Sequence, residues 1–294
     1  MLQQVSDIDL RLLQVFLTVV RCGGFAAAQP ILNIGQPTIS EHMNRLETRI
    51  GVRLCERGRG GFRLTEPGQQ VHQAALRLFT SVEDFRHEIS DVDKQLRGKL
   101  NIGIIDNTIT NTASPLPLAI HRFNQRASQV QIQIEVKSPL EMGQSVLHGR
   151  LHAAIGPYPL HISGLDYSPL FEEKQYLYCS NSHPFSNLTS IDMDTIRSAQ
   201  IVARSYLHAA DLKVLGVNAS AALIDNVEAQ AMLILTGQYI GFLPSHYAEQ
   251  WVLKNQLQTL LPNALHYSSS IELVVKSGGF RSSVLKAFLD ELGR

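Results

Sequence analysis

Between Val71 and Leu96 the apolar residues Val71, Ala75, Leu78, Val82, Phe85, Ile89, Val92 and Leu96 recur at alternating intervals of four and three. A seam of that register, held for more than three heptads, is the pattern of a helix that pairs with another helix. Docking of one amphipathic helix on its own domain is the alternative. Thr65 stands where the N-cap belongs. At 294 residues the chain exceeds one ordinary domain, and this helix is the natural linker between a short N-terminal part and a long C-terminal one. Val71, Ala75, Leu78, Val82, Phe85, Ile89 and Val92 are then the expected dimerisation residues.

Ahead of the linker, Leu10, Leu13, Phe16, Leu17 and Val20 fall at helical spacing, with Asp7 as N-cap and Gly23-Gly24 as the stop. A second helix is expected from Phe25 to Leu32, with Ala27 and Ala28 permitting close approach and Pro30 shortening or kinking it. The turn Asn33-Ile34-Gly35 leads to a third helix with Pro37 in its first turn and Ile39, Met43, Leu46 and Ile50 inward. Beside Pro37, its opposite face presents Gln36, Thr38, Ser40, Glu41, His42, Asn44 and Arg45. Donors and acceptors on one side of a helix that follows a tight turn suit the major groove of DNA, although a solvated face gives the same pattern.

The continuation favours DNA. Val52 to Glu56 and Phe62 to Leu64 read as short strands around Arg57-Gly58-Arg59-Gly60-Gly61. Such a hairpin beside a helix-turn-helix is a wing, and Arg57 and Arg59 suit a narrow minor groove. Whole-chain charge argues the other way, with 26 basic against 26 acidic groups. Even residues 1–98 carry 12 against 11, but Gln36 to Arg63 holds six arginines (45, 49, 53, 57, 59, 63) against three acids (41, 47, 56). The basic excess is local.

From Leu100 onward strands and helices alternate. Leu100 to Ile105, Val130 to Val136, Ala153 to Gly156, Tyr176 to Cys179, Ile201 to Ala203, Ile240 to Leu243 and Ile271 to Val275 read as strands. Helical patterns at Leu116 to Phe123, Leu140 to Leu147, Tyr206 to Leu215, Val227 to Thr236 and Val284 to Leu292 separate most of them. This predicts parallel sheets with helical crossovers, over a length that suits two α/β lobes. Open sheets of this kind bind ligands at the carboxyl ends of their strands, in the cleft that two facing lobes make. The segments delivered there are Asp106, Asn107 and Thr108, then Pro157 and Tyr158, then Arg204, Ser205 and Tyr206, with Asn226 to Glu228 a weaker candidate. Free N–H groups at helix starts favour an anion, and Arg204 could clamp a carboxylate or form a surface ion pair. Asp106 in the same cleft leaves a zwitterionic or neutral ligand open.

An enzyme is the rival class. Lys276-Ser277-Gly278 with Ser283-x-x-Lys286 superficially matches serine acylases, but the order and the five-residue separation do not fit. His148 and His152 are four apart, yet Gly149 between them opposes a continuous helix and a zinc pair. A phosphate-binding loop, a metal site and a second thiol to resolve an oxidised Cys179 are not evident. The odd set Cys22, Cys55 and Cys179 reads as buried or incidental thiols in a reducing compartment. No run of eighteen apolar residues occurs and Met1 to Asp9 is polar and acidic, so a soluble, cytoplasmic protein with no membrane partner is expected. At 44% hydrophobic and 18% charged, the chain is an ordinary folded globule.

The sequence resembles the LysR-type transcriptional regulators through Phe25, Ala27-Ala28, Leu32, Gln36-Pro37, Ser40, Leu46-Glu47, Gly51, Leu54, Arg57, Leu64-Thr65 and Gly68, at the family's spacing. It departs at Pro30, at Gly35 where a capping Ser or Thr is usual, at Glu41, at Cys55 where Phe is usual, and at His152 where Asp is usual. Glu41 could accept from a cytosine amino group or repel phosphate. The fold class implied is α plus α/β. Residues 1–65 form a winged helix-turn-helix, residues 66–97 a dimerising linker helix, and residues 98–294 a two-lobed α/β effector domain resembling periplasmic binding proteins. Lobe one is then 98–161 with 267–294 and lobe two 162–266, the chain crossing near Leu160 to Phe171 and back near Leu265 to Ser270. The resemblance implies a non-enzymatic regulator with no cofactor beyond a small-molecule effector of unknown identity. Its implied partners are promoter DNA, further copies in a homodimer and homotetramer, and RNA polymerase. The runner-up is an α/β solute-binding or enzymatic protein whose N-terminal domain serves for assembly.

Overall fold

The computed structural model describes residues 6–58, 61–90, 96–278 and 282–294, with backbone alone at 57–58, 83–84 and 86–90. By its contacts the chain divides into two units, Met1–Arg86 and His87–Arg294.

The N-terminal unit runs α1 (Asp7–Arg21), α2 (Phe25–Leu32), α3 (Gln36–Ile50), β1 (Cys55–Gly58), β2 (Gly61–Leu64) and α4 (Glu66–Ser90). The cap of α1 is Ser6, one residue before the expected Asp7, because its backbone N–H and hydroxyl both donate to the Asp9 carboxylate, at 2.9 and 2.7 Å. The face of α1 that this start turns inward is Leu12, Leu13, Val15, Phe16 and Val19, with Leu10, Leu17 and Val20 at its margins. Asp9 is itself fully buried and receives Arg49 from α3, whose Nη2 donates at 2.8 Å. Ile39, Met43 and Leu46 are completely buried, as the spacing predicted, and Ile50 packs at the edge.

Pro30 neither breaks nor shortens α2. Its ring leaves the Ala26 carbonyl without the usual i+4 donor, and the Gln29 side-chain amide donates there at 3.4 Å. The oxygen of the same amide accepts from the Gln36 N–H at 3.3 Å, at the start of α3 where Gly35 offers no capping side chain. The wing strands pair antiparallel from Cys55↔Leu64 to Gly58↔Gly61, three residues later than predicted at β1. Glu47 explains that delay: its carboxylate accepts from the N–H groups of Leu54 and Cys55, at 2.7 and 3.3 Å, and holds the chain between α3 and β1.

Thr65 caps α4 by accepting from the Gly68 N–H at 3.0 Å. Here Val71, Ala75 and Leu78, with Phe79, pack against the chain's own core of Phe16, Ile39, Met43 and Leu46. Three of the seven expected dimerisation residues are therefore committed within the unit. A heptad repeat shows which stripe of a helix is apolar, and not whose surface covers it. Val82 is half-buried and Phe85 is 59% exposed. The Ile89 side chain and Val92 lie outside the described residues. Leu96 leaves the seam altogether and packs on the core of the second unit.

The second unit follows as β3 (Arg97–Ile104), α5 (Leu116–Arg126), β4 (Gln129–Val136), α6 (Pro139–Leu147), β5 (Ala153–Pro157) and β6 (Leu165–Ser180). It continues with α7 (Met193–Arg197), β7 (Val202–Arg204), α8 (His208–Leu215), β8 (Ala222–Ile224), α9 (Val227–Leu235) and β9 (Gly241–Pro244). Then come α10 (Ser245–Val252), β10 (Leu257–Thr259), β11 (His266–Lys276) and α11 (Ser283–Glu291). The sheets are mixed, where parallel pairing alone was expected. β3 pairs parallel with β4 and β5, and β7 with β8, whereas β6 and β11 run antiparallel to each other and to their neighbours.

The antiparallel pair is what joins the lobes. β6 and β11 are in register from Lys276↔Leu165 to His266↔Tyr176, so both long strands pass from one lobe to the other where the crossings were expected. In lobe one, Leu100, Ile102 and Ile155 of the sheet meet Phe123 of α5 and Phe288 of α11, whose rings contact edge to face at 5.7 Å. In lobe two, Leu177, Ile201, Ile240 and Phe242 form one core layer and Val202, Ala231, Ile234 and Leu243 another.

Candidate functional site

Two surfaces carry functional side chains. On the N-terminal unit, Gln36, Pro37, Thr38, Glu41, Asn44 and Arg45 are exposed on one face of α3, with Ser40 and His42 half-buried beside them. That face is available because Ile39, Met43 and Leu46 take the other. Not every nearby arginine is free to serve it: Arg49 is spent on Asp9 and Arg63 on Glu56, at 2.8 Å. Both acids are held below the usual carboxylate range by those hydrogen bonds. Arg45 and Arg53 remain exposed. The Arg57 side chain and Arg59 lie outside the described residues.

In the second unit a cavity of about 750 Å³ opens between the lobes. Every parallel strand delivers its carboxyl end there: Ile105 and Asp106 after β3, Lys137 and Ser138 after β4, Tyr158 after β5, Ser205 and Tyr206 after β7, Asp225 and Asn226 after β8. Asp106, Tyr158, Ser205 and Tyr206 are thus where the sequence placed them. The β4 end was missed, although the strand-end rule applied to Val136 would have found it, and so were the apolar residues Leu140, Leu160 and Ile162 on the same wall.

Four predicted residues do not line this cavity. Asn107, in the left-handed region at φ 62°, donates its side-chain amide to Asp106 Oδ2 at 2.8 Å. The buried Thr108 hydroxyl turns back to the Ile105 carbonyl at 2.8 Å. Pro157 stays in the sheet, opposite Ile271. Arg204 is 1% exposed and lies behind Tyr206, its guanidinium carbon 5.7 Å from the ring centre. One Nη of Arg204 donates to Gln175 Oε1 at 3.0 Å and to the Tyr267 hydroxyl at 3.4 Å, and Asp211 stands 4.0 Å away. Burial opposes the Arg204 charge, but the Tyr206, Tyr267 and Asp211 groups around it more than restore it. It is a buried structural cation in place of the expected carboxylate clamp.

The helix starts are also occupied, where free N–H groups were expected. Asp106 Oδ2 accepts from the Val227 N–H at 2.7 Å, the first of α9, and Asn226 Oδ1 from Ala229 at the same distance. Ser138 and Glu141 form a capping box on α6. A second contact between lobes joins Thr110 Oγ1 to His246 Nδ1 at 2.8 Å, and His246 Nε2 to Glu173 Oε1 at 2.9 Å. Burial pushes the Asp106 carboxyl up, and the Val227 N–H partly offsets this. Burial likewise raises the Tyr158 and Tyr206 hydroxyls well above the usual tyrosine range.

The family models match the chain almost end to end. Residues 10–69 match the bacterial regulatory helix-turn-helix protein, lysR family, and residues 93–294 the LysR substrate binding domain. The chain belongs to the LysR family of transcriptional regulators. It is 42% identical to the HTH-type transcriptional activator BauR of Pseudomonas aeruginosa over 98% of this chain and 96% of that one. It is 27% identical to the regulator YdcI of Escherichia coli over 81% and 80%. Among solved structures, the LysR family regulator CbnR aligns with a TM-score of 0.70 at 18% identity, covering 97% of this chain and 98% of that one. A full-length OxyR variant from Pseudomonas aeruginosa aligns at 0.67 and 19%, covering 99% and 95%.

As a LysR-family member the protein is a DNA-binding transcriptional regulator with an effector-binding domain, and not an enzyme. Its departures from the LysR pattern have local explanations. Gln29 supplies what Pro30 and Gly35 withhold. His152 accepts the Asn101 N–H on Nδ1 at 3.0 Å, and its own backbone N–H donates to the Asn101 carbonyl, so it fastens the start of β5 to β3. Glu41 is exposed in the middle of the polar face of α3.

Proposed function

We propose that this regulator binds a two-fold promoter site with α3 of each protomer in successive major grooves, and that a small-molecule effector in the interlobe cavity changes its transcriptional output. The protein acts in the cytoplasm as a homodimer through α4, where Phe85 is exposed, and as a homotetramer through its effector domains. RNA polymerase is the partner through which a bound tetramer acts. Activation is the favoured sign, since a relative at 42% identity carries the name of a transcriptional activator. A solved complex of CbnR with its target DNA, aligned at a TM-score of 0.67, supports the same fold being competent for a duplex.

The observation that carries this reading is that the cavity is walled by both lobes, which are themselves joined by hydrogen bonds, Val227 N–H to Asp106 and Thr110 with His246. A ligand that inserts there has different contacts in open and closed arrangements, which is what an effector needs to shift a population. No cofactor beyond that effector is required. The test fills the cavity: Ile162→Trp in the full chain keeps promoter binding while transcription from the target promoter stops responding to an extract of effector-replete cells. Retained response in that variant overturns the assignment of the cavity.

A further inference from the structure

The cavity has a charge and a polarity of its own. Its ionisable lining residues are Asp106, Glu141, Asp225 and Lys137, and Lys137 is paired with Glu135 on β4. Three carboxylates therefore face one ammonium that is already neutralised. The buried Arg204 is not on the wall, and its neighbours Gln175, Tyr267 and Asp211 hold it from the far side. At the start of α9, which would welcome an anion, the N–H groups of Val227 and Ala229 are taken by Asp106 and Asn226, while α6 opens on Pro139, which has no N–H, with Glu141 in its first turn.

Three buried polar atoms on the wall lack a hydrogen-bond partner: Asp106 Oδ1, the Tyr158 hydroxyl and the Tyr206 hydroxyl. Tyr158 is only 7% exposed. The Arg204 guanidinium lies beside the Tyr206 oxygen without a well-aligned hydrogen bond to it. An ionised carboxylate can only accept, and a buried acceptor left unmatched is costly, so Asp106 Oδ1 calls for a donor, and a tyrosine oxygen beside it can accept from the same group while its own O–H points elsewhere. An ammonium group has three N–H donors and would bring a positive charge to the wall itself, where Asp106 otherwise feels the buried Arg204 behind Tyr206. Asp106 and Tyr206 belong to opposite lobes, so one such group would hold both. Beyond this polar end the wall is apolar, and Leu140 and Leu160 stand 62% and 83% exposed at it.

We propose that the effector is a primary amine, its ammonium group bound by Asp106 Oδ1 and the Tyr206 hydroxyl and its carbon skeleton laid against Leu140, Leu160 and Ile162. This rests on the reading that the interlobe cavity is the effector site. Carboxylates of the same skeleton are excluded by Asp106, Glu141 and Asp225.

The test is thermal shift and calorimetry on the full-length protein with three probes of one skeleton: hexylamine, hexanol and hexanoate. Hexylamine raises the melting temperature in proportion to the logarithm of its concentration, while the alcohol and the acid do not. Asp106→Asn, which keeps an oxygen for Val227, weakens hexylamine by roughly tenfold or more, and Ile162→Trp abolishes its binding. Binding of hexanoate that Ile162→Trp abolishes would overturn the amine while leaving the cavity as the effector site. Hexylamine binding untouched by both variants would overturn both readings. No shift with hexylamine, phenethylamine or 1,6-diaminohexane overturns the amine assignment alone, because Ile162→Trp then still tests the cavity through the promoter response.

Discussion

Asp106 in lobe one accepts a hydrogen bond at 2.7 Å from the backbone N–H of Val227, the first residue of α9 in lobe two. One oxygen of this carboxylate thus joins the lobes while the other is buried in the cavity wall without a partner. Asp106→Ala removes the acceptor and leaves a helix-start N–H unmatched, a loss of about 1–3 kcal/mol for a buried donor. Asp106→Asn keeps an acceptor and should lose less. Urea unfolding of the two variants, followed in the effector domain, separates them.

Acid weakens the DNA-binding unit through Asp9. The Arg49 hydrogen bond holds the buried carboxylate far below the usual aspartate range, against the opposing effect of burial. A carboxylate depressed in the folded state contributes stability that is fully present above its unfolded pKa, about 4, and lost as pH falls toward its folded value. The melting temperature of the N-terminal unit should therefore fall steeply below about pH 4 in the wild type. In Asp9→Asn it starts lower and falls less over the same window. Parallel curves for the two proteins would remove the pair from this role.

Arg204 is a structural residue, and its loss reads out as unfolding. Arg204→Ala leaves Asp211 buried without its cation, which costs about 3–5 kcal/mol in comparable breaks of buried pairs. Replacing both, as Arg204→Met with Asp211→Leu, should recover most of that loss, because an apolar pair of similar volume removes the unpaired charge. Denaturant midpoints of the single and double variants decide it, and an unchanged midpoint for Arg204→Ala would contradict the burial.

Gln29 bridges two weaknesses of the helix-turn-helix, the proline in α2 and the glycine before α3. Gln29→Ala should cost about 0.5–1.5 kcal/mol as its two long hydrogen bonds are lost. Gly35 has φ −68° and room for a side chain, the nearest atom to an added Cβ being Pro37 Cδ at 3.6 Å. Gly35→Ser therefore restores part of the Gln29→Ala loss, a few tenths of a kcal/mol, by capping α3 directly. Differential melting of the single and double variants measures it.

How much was legible in the sequence followed how local the signal was. α3 was read correctly because turn, Pro37, inward apolar spacing and Gly51 all agree between Asn33 and Gly51. β6 was seen only from Tyr176 to Cys179, since the stretch before Tyr176 carries Asp166, Glu172, Glu173 and Lys174 where it crosses between lobes with one side in water. α10 follows Pro244 directly and buries only Ala248 fully, so its apolar pattern is faint. Arg204 was placed at the right strand end but on the wrong side of it, because side-chain depth depends on Gln175 and Tyr267, 29 and 63 residues away. The cavity's acceptor character was hidden for the same reason: the donors at the helix starts are consumed by Asp106 and Asn226 only once the lobes are assembled.

The most direct test of the account is fluorescence anisotropy of the full-length protein on a duplex from its own upstream region. The wild type should bind that duplex more tightly than a scrambled one, with log affinity falling steeply as log salt rises. Ser40→Ala with Arg45→Ala should lose about 1–3 kcal/mol per base contact removed and most of the preference, with melting unchanged. Equal binding by the wild type and this variant, or no binding to any upstream or genomic fragment at low salt, would contradict it.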